Sequence, residues 1–358
     1  MINADRLLGT FLDLVRIDSP SGREERVAED LAMRLGGLGL SPERDEAGNL
    51  FATVAGEGEP LLLTAHMDTV SPGENVRPVV RDGVVYSDGT TVLGADDKSG
   101  VAIILEVLEA LGAAGAAHRP LDILFTVREE TGLQGAKAFD RGRLRARLGV
   151  GLDAHGEQGT IVVQAPAQNA LRVAVHGRMA HAGVNPQDGI NAIRVAAEAI
   201  AAMPLGRIDA ETTANIGLIS GGTATNIVPD LVTLRGEARS RREESLEAQT
   251  RRMVAALEER AAAHGARAEV DVRRAYSAYT LTEGDEVVRL VGDAMRSVGV
   301  EPLLLPSGGG SDANVLNAEG VQTVQISTGM EAVHTCDEHI AVADMVQAAE
   351  IVWACTRA

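Results

Sequence analysis

Residues Leu61–Asp68 read LLLTAHMD, an apolar run that ends in a histidine and an aspartate. A short run of this kind indicates a buried strand, and open α/β folds keep their sites at the carboxyl edge of the sheet. Side chains alternate along a strand, so His66 and Asp68 point the same way and can address one centre. A purely structural hydrogen bond between them explains the pair equally well.

Two further apolar runs also end in acids. Leu121–Val127 leads to Glu129 and Glu130, and a run from position 149 ends in Asp153. Acids gathered at one sheet edge repel each other unless a cation neutralises them. The three runs together therefore favour a metal site over chance.

The segment GADDKSG, residues 94–100, opens a helix with a regular apolar face. Asp96 and Asp97 thus lie at a helix N-terminus, where free backbone N–H groups stabilise negative charge. Both aspartates are candidates for a metal site, and capping of the helix is the interpretation favoured for Asp97.

Composition limits the classes of partner. The chain has 358 residues, with 33 basic and 51 acidic side chains and a formal charge of -18. This charge argues against nucleic acid or an anionic membrane as partner. No apolar segment is long enough to span a membrane, and the N-terminal stretch does not have the pattern of a secretory signal. With only Cys336 and Cys355 there is no disulfide framework, so we expect a cytoplasmic protein.

The order of predicted elements divides the chain into two domains. Residues 1–168 and 280–358 alternate strands and helices and form an α/β domain with a sheet sandwiched by helices. Residues 169–279 read strand, helix, strand, strand, helix, strand, which predicts an inserted α+β domain with two helices on one face of its sheet.

The candidate metal ligands mix imidazole and carboxylate groups, a set that suits zinc, with cobalt or manganese as alternatives. They are His66, Asp68, Asp96, Asp97, Glu129, Glu130, Asp153 and the segment HTCDEH at 334–339. Two ions that share one bridging carboxylate would use this set well and would activate a water between them.

These motifs resemble the co-catalytic di-zinc metallopeptidase family that contains peptidase T, acetylornithine deacetylase, succinyl-diaminopimelate desuccinylase and related carboxypeptidases. The resemblance is carried by HMD, GADDKSG, TVREETG, LDAHG, GRMAHAG and HTCDEH, which run from His66 to His339. It implies a zinc-exopeptidase-like fold with an inserted lid or dimerisation domain, and it is strongest to the peptidase T-like branch.

The resemblance also implies roles for individual residues. The implied metal ligands are His66 and Asp153 for one zinc, Glu130 and His334 for the other, and Asp96 as the bridge. Asp68 would orient the His66 ring without binding a metal itself, and Glu129 would be the general base.

Three of these assignments have rivals, namely Asp97 for Asp96, an exchange of roles between Glu129 and Glu130, and His339 for His334. Adjacent residues on an extended chain face opposite ways, so only geometry decides which glutamate meets the metal. His334 is favoured over His339 because the ligand of the family opens this motif.

The resemblance places three more functional residues. His181 would stabilise the oxyanion, often from the partner subunit of a dimer, while Asn226 and Arg239 would bind substrate. Separately, the glycine run at 308–310, with Gly309 at its centre, offers backbone N–H groups that would bind a substrate carboxylate. Each has an ordinary structural alternative: a histidine at a turn, a surface cation, a flexible glycine loop. The nearby His176 is expected to be structural.

We therefore predict a zinc-dependent hydrolase that cleaves amide bonds of small peptides, a peptidase T-like exopeptidase acting on di- and tripeptides with two Zn²⁺. A deacylase of N-acyl amino acids is the first alternative, and a non-catalytic metal-binding interaction protein is the second. The expected partners are the small substrate and a second copy of the chain, joined through the inserted domain.

Overall fold

The computed structural model describes residues 1–115 and 117–357. The chain divides into two compact units. The first contains Met1–Val163, Thr280–Ser307 and Ser311–Ala358, and the second contains Gln164–Tyr279 and Gly308–Gly310.

The helices are, in chain order, α1 (Ala4–Val15), α2 (Glu25–Gly37), α3 (Ala95–Ala114), α4 (Gln134–Ala138), α5 (Ala192–Ala202), α6 (Glu243–Ala263), α7 (Glu286–Ser297), α8 (Asp312–Ala318) and α9 (Val342–Cys355). Short 3-10 turns cover Arg141–Arg143 and Pro186–Asp188.

The strands are β1 (Glu43–Arg44), β2 (Leu50–Val54), β3 (Leu61–His66), β4 (Val79–Arg81), β5 (Val84–Tyr86), β6 (Leu121–Thr126), β7 (Leu148–Ala154), β8 (Thr160–Ala165), β9 (Ala167–His176), β10 (Ala180–His181), β11 (Gly206–Arg207), β12 (Thr212–Gly221), β13 (Ile227–Val228), β14 (Leu231–Ser240), β15 (Arg267–Tyr276), β16 (Tyr279–Thr280), β17 (Leu303–Pro306), β18 (Gln322–Ser327), β19 (Met330–Glu331) and β20 (His339–Ala341).

The first unit is built around a mixed sheet in the order β1-β2-β6-β3-β7-β18-β8. β3 runs parallel to both β6 and β7, and β7 runs parallel to β18. β2 and β8 pair antiparallel at the two sides. A smaller sheet, in the order β19-β20-β5-β4, holds the late histidine-rich segment between two of its strands.

Both faces of the mixed sheet are covered, which explains why its strands are apolar without alternation. Leu61 and Leu63 of β3 pack into the large core with α1, α3, α7 and α9. Leu62, between them, points the other way into a smaller cluster with Leu124 and Phe139. The predicted α/β fold, with a mixed sheet flanked by helices, is confirmed.

The second unit is a five-stranded antiparallel sheet in the order β11-β12-β14-β9-β15, with a short separate pair, β10 and β13. Helices α5 and α6 cover one face and form a second apolar core with Leu171, Val232 and Met253. Residues 169–279, the predicted insertion, lie in this unit, which also includes 164–168 and 308–310. Its role as a lid or dimerisation domain stays a prediction.

None of the helices in the described ranges combines the length and the apolar character that crossing a membrane requires.

Candidate metal centre

Three neighbouring parallel strands of the first unit bring the predicted acids and histidine together. His66, the last residue of β3, lies opposite Thr126, the last residue of β6. The turn after β6 carries Glu129 and Glu130, and Asp153 lies near the end of β7 on the other side of β3. The strand ends therefore converge at one edge, as the sequence pattern predicts.

His66, Asp96 and Asp153 form one group of potential ligands, whose ligand atoms lie within 4.8 Å of one another. His66 Nε2 lies 2.9 Å from Asp96 Oδ1 and 3.9 Å from Asp153 Oδ1. Burial and the neighbouring charge of Asp96 raise the pKa of Asp153 well above its usual value. In the absence of a cation, this carboxylate is poorly stabilised.

Asp96, Glu130 and His334 form a second group that shares Asp96 with the first. His334 Nε2 lies 3.2 Å from Asp96 Oδ2 and 2.8 Å from Glu130 Oε1. Each oxygen of the Asp96 carboxylate thus contacts a different imidazole. Burial alone would raise the pKa of Asp96, but the hydrogen bonds from the two imidazoles hold it low.

Asp97 does not face either group. Its Oδ2 accepts a hydrogen bond from the backbone N–H of His66 at 3.1 Å, and its Oδ1 accepts one from Gly100 N–H at 3.2 Å. A side chain on Gly100 would collide with the Asp97 carboxylate and with Leu152. Of the two adjacent aspartates, only Asp96 is therefore placed to bridge.

Asp68 connects two of the converging segments. Its backbone oxygen lies 2.9 Å from His66 Nδ1, and its Oδ1 lies 3.5 Å from the same nitrogen. The carboxylate also accepts hydrogen bonds from the backbone N–H groups of Glu129 and Glu130, at 2.9 and 3.2 Å, and from the Ser21 hydroxyl at 2.6 Å. Besides orienting the histidine, Asp68 thus holds the turn that carries both glutamates.

The Glu129 carboxylate differs from that of Glu130. Glu130 contacts His334, whereas the Glu129 side chain has no hydrogen-bond partner within the described part of the chain. Burial and the nearby charges of Asp312 and Glu130 raise the pKa of Glu129 well above its usual value. A buried carboxylate with a raised pKa and free oxygens is suited to accept and return a proton.

Left-handed backbone conformations occur on two of the loops that carry these side chains. Arg128, just before the glutamate pair, has φ 52°, and His334 has φ 64°. Such conformations are costly for residues other than glycine and concentrate at functional sites.

His339 lies apart from both ligand groups. Its ring stacks on Tyr86, with 5.2 Å between ring centroids, and its Nδ1 lies 2.8 Å from the Asp337 backbone oxygen. This placement favours His334 over His339 as the ligand.

Sequence reasoning missed two buried acids that support the centre. Glu24 Oε1 accepts hydrogen bonds from the backbone N–H groups of Gly22 and Arg128, at 2.8 and 3.0 Å. Asp312 is buried at the start of α8 and accepts a hydrogen bond from Thr126, and burial raises its pKa to about 6. No spacing rule finds such residues, because their partners lie far away in the sequence.

In the second unit, the structure brings His181 and Asn226 together. β10 pairs with β13, and Ala182 N–H donates a hydrogen bond to the Asn226 backbone oxygen at 2.9 Å. His181 Nδ1 accepts hydrogen bonds from Gly183 N–H and Val184 N–H, at 3.1 and 3.2 Å. These bonds select the tautomer with the proton on Nε2, so this exposed side chain offers a hydrogen-bond donor.

Arg239 is not brought to this pair within the unit. It lies eight residues after Leu231, the first residue of β14, which corresponds to about 27 Å along an extended strand. Its Nε is 2.9 Å from Glu237 Oε1, so a substrate carboxylate would compete with that carboxylate. Gly309 belongs to the short segment of this unit at 308–310.

The donor set fits divalent metal ions. Of the three groups of potential ligands, the third being His66, Glu129 and Glu130, the two described above share the Asp96 carboxylate. Two groups that share one carboxylate are the arrangement expected for two ions, and mixed imidazole and carboxylate donors suit zinc. Burial of several acids at one edge is costly without a cation. Hydrogen bonds to Asp96 and Glu130 raise the pKa of His334 to about 10, as expected for a ligand whose metal position is taken by a proton.

Comparison with known proteins decides the family. Residues 62–357 match the model of peptidase family M20/M25/M40. The chain belongs to this family. As a member, it is a hydrolase of the metallopeptidase class, and both the predicted resemblance and the predicted enzyme class are confirmed.

Similar proteins support the peptidase T-like character of this M20 family peptidase. It is 43% identical to the aminopeptidase PepT from Bacillus cereus, with TM-score 0.87 and coverage of 99% of this chain and 98% of that one. A tripeptidase from Staphylococcus aureus is 40% identical, with TM-score 0.93 and coverage of 100% and 98%. The protein YqjE from Bacillus subtilis, whose function is uncharacterised, is 45% identical over 98% of both chains.

Proposed function

We propose that this peptidase is an exopeptidase that cleaves di- and tripeptides at a centre of two divalent metal ions, with zinc as the first choice. The observation that carries the proposal is the pair of ligand groups that share Asp96, with the free carboxylate of Glu129 beside them. The names of the two similar solved structures, an aminopeptidase and a tripeptidase, support small peptides as substrates.

The residues that would hold the ions are His66 and Asp153 for one, Glu130 and His334 for the other, and Asp96 for both. Ions bound there would act as Lewis acids toward water and the scissile carbonyl. Cobalt or manganese would satisfy the same ligands, so the identity of the metal is part of the proposal.

Glu129 acts as the proton shuttle. It takes a proton from the attacking water and gives it to the leaving amine. Its raised pKa and its carboxylate without a hydrogen-bond partner in the described residues support this role. Asp68 orients His66 and keeps Glu129 in place through its backbone N–H group.

The second unit supplies the remaining groups. His181 donates a hydrogen bond from Nε2 to the developing oxyanion, and Asn226, Arg239 and Gly309 bind the substrate. Residues 169–279 thus act as a lid and dimerisation domain, and 1–168 with 280–358 as the catalytic domain.

A second copy of the chain is the proposed partner. β11 pairs only with Thr213 and Ala214 of β12, so in the described chain no strand covers the outer edge of residues 215–221. Leu218 and Ile219 on this segment are 61% and 56% exposed. An open edge with exposed apolar side chains is suited to antiparallel pairing with its own copy.

The two free cysteines support a reducing, cytoplasmic location.

The substrate proposal is tested with a metal-loaded panel of dipeptides, tripeptides, and N-acetyl and N-succinyl amino acids. We expect the highest kcat/KM for a peptide with a free amino terminus. Preference for the N-acyl compounds would make the protein a deacylase, and no turnover of any member would favour a metal-binding interaction protein.

The role of Glu129 is tested with Glu129→Gln in the same assay. Loss of the proton shuttle is expected to lower kcat by about 10³-fold or more while the metal content stays at the wild-type level. The control is Glu25→Gln, which changes an exposed glutamate on α2 in the same way and is expected to keep full activity. Wild-type turnover by Glu129→Gln would remove this residue from the mechanism.

A further inference from the structure

Glu338 is a buried acid that no step of the proposed reaction uses. It follows His334 by four residues, in the connection between β19 and β20, and its exposed fraction is 1%. Its Oε2 accepts a hydrogen bond from Gly94 N–H at 2.7 Å, and its Oε1 accepts one from Asp96 N–H at 3.0 Å. Each carboxylate oxygen is therefore tied to the loop that carries the shared aspartate.

These two hydrogen bonds join the segment that carries His334 to the segment that carries Asp96, two members of the same ligand group. Asp96 and His334 are 238 positions apart in the numbering, yet their side chains meet at 3.2 Å. Gly94 has φ 76° and Asp96 has φ -83° and ψ 102°, so the loop is not yet helical where Glu338 holds it. The regular hydrogen bonds of α3 thus do not fix this backbone, and Glu338 does.

The same arrangement recurs at the other converging turns. Asp68 accepts hydrogen bonds from two consecutive N–H groups of the glutamate turn, and Glu24 accepts them from Gly22 and Arg128. Hydrogen bonds from N–H groups to a buried carboxylate are short and strong. Three buried acids thus hold the loops that present the ligands, without being ligands in the two groups themselves.

We propose that Glu338 is a positioning residue that sets the separation between Asp96 and His334, and thereby the affinity for the ion held by Asp96, Glu130 and His334. The inference rests on the proposed metal centre. A metal site tolerates errors of only about 0.5 Å in ligand position. Loss of one backbone contact would therefore lower the affinity for this ion more than the affinity for the ion held by His66 and Asp153, because only this ion uses both segments that Glu338 joins.

The test uses Glu338→Gln, with Asp337→Asn as the matched control. The side-chain oxygen of glutamine can accept a hydrogen bond from one of the two backbone N–H groups. The side-chain NH₂ group is a donor, so the other backbone N–H group would lose its acceptor. Asp337→Asn removes the same charge from an exposed neighbour. Metal-free proteins are titrated with Co²⁺ alone, which reports binding through its visible absorption bands.

We expect wild type and Asp337→Asn to bind two Co²⁺ per chain. Glu338→Gln should bind the first with a smaller loss of affinity and the second about 10- to 100-fold more weakly. Its kcat at limiting metal should fall by a similar factor, with KM within about twofold. Two Co²⁺ bound by Glu338→Gln with wild-type affinity and spectrum would overturn the inference.

Glu338→Asp answers the same question if the glutamine variant does not fold. The shorter carboxylate keeps the charge but cannot reach both N–H groups, so weaker binding of the second Co²⁺ is again expected, and wild-type binding overturns the inference. Failure of wild type itself to bind Co²⁺ would instead overturn the proposed metal centre.

Discussion

At the scale of single residues, the Asp96 carboxylate determines the geometry of the centre. Its two oxygens lie 2.9 Å from His66 Nε2 and 3.2 Å from His334 Nε2. In this arrangement each Nε2 faces the carboxylate at the position that a metal ion would take. A proton on either nitrogen must therefore leave before a cation can bind.

The first prediction concerns this exchange. Hydrogen bonds to Asp96 and Glu130 raise the pKa of His334 to about 10, so the metal-free protein keeps this proton at neutral pH. Binding of Zn²⁺ should release it, and the affinity for Zn²⁺ should rise with pH up to that pKa. Calorimetric titration at one pH in two buffers of different protonation enthalpy measures the released protons.

His339→Ala is the control, since this ring lies outside both groups and should not change proton release. His334→Ala should reduce the release by about one proton per chain. Equal heats in both buffers for the wild type would contradict the prediction.

The residues that the sequence predicts best are those at ends of apolar strands. His66 ends one strand that the pattern identifies and Glu129 lies in the turn after another, and the parallel register of β3 and β6 brings these two strand ends together. The sequence alone could not choose between Asp96 and Asp97, because the choice depends on which carboxylate faces the backbone of His66. Glu338 was among the candidate ligands, but its partners are backbone N–H groups more than 200 positions away.

At the scale of elements, the loop between α1 and α2 connects to the start of α3 and to the segment after β3. Lys98, at the start of α3, donates a hydrogen bond to the Ile17 backbone oxygen at 2.6 Å. Ser19 donates one to the Met67 backbone oxygen at 2.8 Å, and Ser21 donates one to Asp68. The sequence does not predict these contacts, because turn residues do not indicate their distant partners.

A second prediction concerns the contact between α1 and α3. Glu106 on α3 is buried and accepts hydrogen bonds from Arg6 Nε at 2.6 Å, Arg6 Nη2 at 2.8 Å and Asn3 N–H at 2.6 Å. Glu106→Ala leaves these donors without their acceptor. We expect the free energy of unfolding to fall by about 2 to 3 kcal/mol, as measured by urea denaturation of the metal-free protein.

The matched control is Glu109→Ala, one turn further along α3 and less buried. It should change the free energy of unfolding by less than about 0.5 kcal/mol. An equally small effect of Glu106→Ala would mean that the buried carboxylate does not stabilise the helix contact.

At the scale of the whole molecule, the second unit places His181 and Arg239 far apart along its sheet. About 27 Å of strand separates Arg239 from Leu231, whose neighbour Asp230 pairs with the segment leading to His181. In the proposed dimer, one catalytic centre would use Arg239 of one chain and His181 of the partner subunit.

The third prediction tests this arrangement with two variants that are expected to be inactive, Glu129→Gln and His181→Ala. In a mixed dimer, one centre combines an intact Glu129 with the intact His181 of the partner. Random exchange of subunits should therefore restore about a quarter of the wild-type activity, because half of the dimers are mixed and each has one complete centre. Mixing without subunit exchange is the control.

Sedimentation shows whether the mixture contains mixed dimers. If it does and the activity still stays at the level of the separate variants, His181 acts in the centre of its own chain. A monomer in sedimentation would contradict the dimer itself.

The most direct test of the central claim is the metal content of active protein, measured by elemental analysis alongside turnover of a tripeptide. The shared Asp96 predicts two transition metal ions per chain, loss of activity on removal by a chelator, and recovery as metal is returned. Full turnover by protein that contains no bound transition metal would contradict the account.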